Sequence, residues 1–161
     1  MTRTSARQAG FTLLELLVVL AILGGLLGLV APTIRVDRGA QELQEEAQAL
    51  RAFLQNAIDD AWTKRENLAL KRTQQRLALQ TFIDNEWQDG ATFTLTDQVI
   101  SNISVSSRLL QQGKESLGIS DNHIEWLTLS NGEYLPLSWQ LSLGDYRVTI
   151  VGDGINGLTL E

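Results

Sequence analysis

Twenty residues from Phe11 to Val30 are apolar or small except for Thr12 and Glu15. As a helix rising about 1.5 Å per residue, such a run matches the roughly 30 Å of bilayer hydrocarbon. A carboxylate costs roughly 2.5 to 3.5 kcal/mol at the centre of a membrane helix and less toward an end, where Glu15 stands. A plain anchor has no use for that charge. Ahead of the run, Met1–Gly10 carries Arg3 and Arg7 and no acid, which by the positive-inside bias leaves the amino terminus in the cytoplasm. A secretory signal peptide would place small residues before a cut at the far end of the run. Leu29-Val30-Ala31 followed by Pro32 is a poor site of that kind, and it leaves Glu15 unexplained.

Gly10-Phe11 behind a short basic leader, with Glu15 the fifth residue after the glycine, resembles the prepilin segment of type IV pilins and type II secretion pseudopilins. The resemblance implies a leader of residues 1–10, cut between Gly10 and Phe11 by a membrane prepilin peptidase, with methylation of the new Phe11 amine. It assigns Glu15 to subunit recruitment: a carboxylate of one subunit meeting the Phe11 amine of its neighbour neutralises two groups that are costly at a membrane boundary. Gly24, Gly25 and Gly28 followed by Pro32 weaken the helix locally, which in the family corresponds to a stretch able to extend. They fit a small-residue packing face between membrane helices equally well.

The chain has 161 residues, no cysteine and a net charge of −6, which becomes −8 once Arg3 and Arg7 are removed. About 120 residues remain for one soluble domain without disulfides. In its first part Leu43, Ala47, Leu50, Leu54, Ala57 or Ile58, and Ala61 recur at steps of three and four, one amphipathic helical face. Glu42, Glu45 and Glu46 near its start and Lys64 and Arg65 near its end suit the helix dipole. From Asn67 the period changes to two. Leu68 and Leu70, then Leu77 and Leu79, flank Thr73-Gln74-Gln75 as a hairpin. Further strands are expected at 91–95, 99–105, 124–129, 134–137, 139–143, 146–151 and 158–160, with turns at Asn131-Gly132, Gly144-Asp145 and Gly152-Asp153-Gly154. Pro136 marks an edge or a strand end. Residues 108–120 read as an exposed loop.

The expected fold is therefore α+β. A long N-terminal helix, membrane-spanning in its first half (11–31) and amphipathic in its second (32–66), packs on a mostly antiparallel β head (67–161) of two small sheets. A break at Pro32 with a separate amphipathic helix fits nearly as well. In outline, the leader, anchor, helix, early hairpin, Trp87 and closing strand after Gly152-Asp153-Gly154 resemble the minor pseudopilins of the GspH type and the related FimT and FimU minor pilins. This resemblance implies a structural subunit at or near the tip of the type II secretion pseudopilus. Its implied partners are the prepilin peptidase, sibling minor pseudopilins, the major pseudopilin and the inner-membrane assembly platform. The implied location is a single pass through the bacterial inner membrane with a periplasmic head, and the alternative is a type IV pilus minor pilin serving pilus assembly or DNA uptake.

No catalytic residue, cofactor or metal ligand is expected. His123 is the single histidine, cysteine is absent, and no nucleophile triad, metal-ligand spacing or phosphate-binding glycine motif stands out. Asp59-Asp60 reads as a solvated helix face, His123 as a surface or strand-end residue, and Asp153 with Asn156 as an ordinary turn rather than a calcium loop. Trp62, Trp87, Trp126 and Trp139 read as core or interface. One basic cluster exists, Lys64, Arg65, Lys71, Arg72 and Arg76, but from Ile83 to Glu161 three bases face eleven acids, a balance of −8. That surface repels phosphates, so nucleic-acid binding is disfavoured.

Overall fold

The structure, a computed structural model, describes residues 13–29, 37–83 and 86–161. It divides into an N-terminal unit and a head spanning Asp37–Glu161. In the first unit, helix α1 runs Leu13–Leu29 with Glu15 in its first turn. The residues that would join it to the head, 30–36, lie outside the described set, as do Gly10, Phe11 and Pro32.

The head opens on α2, Arg38–Lys64. Asp37 before it is extended, with φ −71° and ψ 98°, so the helix that packs on the sheets begins at Arg38. Its first turn carries no acid, and Glu42 falls one turn later than an ideal dipole partner would. At the other end Lys64 occupies the last turn, and Arg65 caps it in the left-handed conformation with its N–H on the Ala61 carbonyl. The buried face is Leu43, Ala47, Leu50, Leu54, Ala57, Ile58 and Ala61, the stripe expected from the three-four spacing.

Strands β1 (Leu68–Thr73), β2 (Arg76–Ile83), β3 (Glu86–Thr94) and β5 (Ile124–Thr128) form one antiparallel sheet in the order β3-β2-β1-β5. Strands β4 (Ile100–Val105), β6 (Leu137–Leu143), β7 (Tyr146–Gly152) and β8 (Thr159–Leu160) form the second, in the order β4-β6-β7-β8. The expected hairpin is present, with Thr73 paired to Arg76 across Gln74, a non-glycine residue at φ 56°. The α2 stripe shares one core with residues of both sheets, including Leu70, Leu77, Trp126, Trp139, Leu141 and Ile150. Burying side chains of this size contributes roughly 1.5 to 3 kcal/mol each. Trp126 keeps its indole N–H satisfied by the Leu135 carbonyl at 2.8 Å.

Three local expectations change. Residues 134–137 make no strand of their own: Tyr134 contributes one bridge to Thr128, and β6 begins at Leu137, just after Pro136, which has no N–H to donate. The expected strand at 91–95 starts earlier, at Glu86. The expected loop at 108–120 is instead a helix, α3 (Ser107–Ser116), whose N-cap Ser106 accepts the Leu109 N–H through its hydroxyl. Leu110, Leu117 and Ile119 pack on Ala69, Ile124 and Leu127, away from the main core. A Cβ at Gly113 would lie 2.7 Å from Leu127 Cδ1. The absence of a side chain at Gly113 is what lets the helix sit on the sheet.

Candidate assembly surface

The described residues of the first unit make α1 an unusual helix. Apart from Glu15 it contains only apolar residues and glycine, and its large side chains from Leu13 to Leu23 are exposed, Leu13 by 82%. A helix that is apolar all round is stable only when another apolar phase or neighbouring helices cover it. It has 17 residues, about 25 Å at the usual rise. No helix among the described residues is long and apolar enough to cross a membrane. Glu15 lies within this helix, whereas the cleavage and methylation positions, Gly10 and Phe11, fall outside the described residues.

In the head, the basic cluster is largely neutralised by the fold. Lys64 Nζ lies 2.8 Å from Asp60, Lys71 Nζ lies 2.8 Å from Asp121, and Arg72 Nη1 lies 3.6 Å from Glu125. Arg65 and Arg76 alone in the cluster have no carboxylate partner among the described residues. The Lys71 ammonium, then the His123 backbone N–H, hold the Asp121 carboxyl far below the usual carboxylate range. Burial pushes the Glu125 carboxyl up, against the pull of Arg72.

The other residues singled out from sequence resolve as surface features. His123 is exposed at the start of β5, with Nδ1 2.9 Å from Asp121. Asp59 accepts from Gln55, and Asp60 pairs with Lys64, both on the exposed face of α2. Asp153 closes its own turn, taking the N–H groups of Ile155 and Asn156 and the Asn156 side-chain amide. These bonds, the side-chain amide foremost, lower its pKa to about 2. Among the described residues no three His, Cys, Asp or Glu side chains gather as a metal site. Trp126 and Trp139 are fully buried and Trp87 is half-buried, but Trp62 is 67% exposed. Of the core and interface alternatives open to it from sequence, Trp62 stands clear of the core.

Two comparisons with known proteins bear on this arrangement. Residues 5–31 match the family profile described as the prokaryotic N-terminal methylation motif, so the chain carries that motif up to and across the apolar run. The fold is that of a minor pseudopilin. A solved structure of the minor pseudopilin EpsH from the type 2 secretion system of Vibrio cholerae matches with a TM-score of 0.58 at 14% identity, covering 74% of this chain and 96% of that one. A second structure of the same protein gives 0.56 at 15% identity, covering 75% and 94%. No curated protein sequence matches this one.

Proposed function

We propose that the chain is a structural minor pseudopilin of a type II secretion system, held in the inner membrane by the apolar run and presenting its head to the periplasm. One conjunction carries the reading: a prokaryotic N-terminal methylation motif at residues 5–31 stands on the same chain as a head with the minor pseudopilin fold. The bare apolar surface of α1 supports it, since lipid and neighbouring helices are what such a surface fits. In this reading residues 1–10 are a leader, prepilin peptidase cuts between Gly10 and Phe11 and methylates Phe11, and Glu15 recruits the subunit by approaching a neighbour's Phe11 amine. The head joins sibling minor pseudopilins and the major pseudopilin at or near the pseudopilus tip, and the protein performs no chemistry of its own.

Intact mass of the membrane-extracted protein tests the processing step: the mature chain should begin at methylated Phe11. Retention of Met1–Gly10 in cells with active prepilin peptidase would sink the assignment. Replacing Glu15 with Ala should leave cleavage and membrane retention unchanged yet reduce co-purification with sibling subunits. Undiminished association would give Glu15 another role.

A further inference from the structure

The C-terminal turns of α2, the 129–133 turn and the 153–157 loop enclose an open groove of about 260 Å³. Trp62 and Ile155 stand in its lining, 67% and 77% exposed, and Ile58 lines it as well. Large apolar side chains this exposed on a rigid concave surface are characteristic of contact sites, and tryptophan is the residue most enriched at binding hot spots.

The walls are held in place. Trp62 lies over Gly132, whose Cβ position falls 3.4 Å from the indole Cγ. The Leu158 N–H donates to Gln55 of α2 at 3.0 Å, the Tyr134 hydroxyl donates to the Asn156 carbonyl, and Asp153 ties down Ile155 and Asn156. A groove fixed in this way loses little conformational entropy on being filled.

Charge selects the occupant. The single charged side chain lining the groove is Asp59, one turn before Trp62 and so on the same side of the helix. A carboxylate beside an open indole is complementary to a cation, by ion pairing and by cation–π attraction. Beyond Trp62 the adjoining cleft is lined by Arg65, Ser130 and Asn131, which repels a cation and so fixes the side of approach. We propose that this groove seats the head of a companion pilin-like subunit, through an apolar side chain placed next to a lysine or arginine. The proposal rests on the functional reading above and names the surface that carries it out.

The chain has no cysteine, so one introduced thiol reports one position. Full-length chain carrying Ile155→Cys is labelled with benzophenone maleimide in the membranes of its own bacterium and irradiated. The expected product is an adduct with another protein bearing a prepilin N-terminus, mapped within a few residues of a lysine or arginine. The same label at Ile100→Cys, which is 72% exposed on the edge strand β4 of the second sheet, should give none. Adding Trp62→Ala, or the exposed change Asp59→Lys, should lower the Ile155 adduct about thirtyfold, the scale of losing one hot spot. A missing adduct, an adduct with a second copy of this chain, equal labelling from Ile100→Cys, or insensitivity to both added changes overturns the proposal. If the labelled chain still co-purifies with its companions, the groove alone has failed. If it neither is cleaved nor co-purifies, the functional reading has failed with it.

Discussion

Arg72 on β1 reaches Ser101 on β4, donating from Nη2 to its hydroxyl at 2.8 Å and to its carbonyl at 3.2 Å, so one guanidinium bridges the two sheets. Its Nε donates to the Gln74 carbonyl at 3.0 Å, and its Nη1 faces half-buried Glu125. Arg72 therefore closes the β1–β2 turn, joins the sheets and compensates a carboxylate that burial penalises.

Replacing Arg72 with Ala should cost about 1 to 3 kcal/mol, the range for hydrogen bonds to charged groups together with a carboxylate left partly desolvated. Adding Glu125→Gln should recover part of the loss, because it removes that charge. Thermal unfolding followed by tryptophan fluorescence checks this, since Trp62, Trp87, Trp126 and Trp139 all lie in the head. Equal stability of R72A and wild type would show that the bridge is redundant.

The acid limb of stability should depend on Asp153 and Asp121. Both have folded pKa values below their ordinary value of 3.8, Asp153 at about 2 through the Asn156 side chain and the Ile155 and Asn156 N–H groups, Asp121 chiefly through Lys71. Below pH 3.8 the unfolded state binds more protons than the folded one. The stabilisation from each group is thus complete above that pH and is lost as pH falls through its folded value, near 2 for Asp153 and lower still for Asp121. Unfolding midpoints measured from pH 6 to pH 2 should fall less steeply in the double variant Asp121→Asn, Asp153→Asn than in wild type.

Gly152 is a packing position. A Cβ there would sit 2.5 Å from Leu158 Cδ2 and 2.7 Å from the Tyr134 ring, both residues buried. Gly152→Ala should destabilise the head by about 1 to 3 kcal/mol through overpacking, and should loosen the Tyr134–Asn156 contact that fixes the 153–157 loop. Denaturant unfolding measures the first effect and amide exchange at Ile155 and Asn156 the second.

DNA binding should be weak. Three of the five clustered bases are engaged by Asp60, Asp121 and Glu125, so phosphate contact is left chiefly to Arg65 and Arg76, which predicts a fall in affinity between about 50 and 200 mM salt. A gel-shift titration of full-length protein at the higher salt decides it. Tight binding there, abolished by Lys71→Ala, Arg72→Ala and Arg76→Ala, would make DNA uptake the better account.

What the sequence by itself determined is whatever local period and local spacing encode. The apolar run with Glu15, the prepilin-like start, the α2 stripe from Leu43 to Ala61 and the hairpin at Gln74 are each legible because a few neighbouring residues suffice to define them. Tertiary structure decided what depends on residues far apart in the chain. Gly113 reads as a loop residue until Leu127 is packed against it, and the basic cluster reads as open charge until β5 and the residues before it bring Glu125 and Asp121 alongside β1. Trp62 and Ile155 become one groove only when the closing loop folds onto α2. Ion pairs, close approaches and grooves are properties of distance in space, and chain position alone does not carry them.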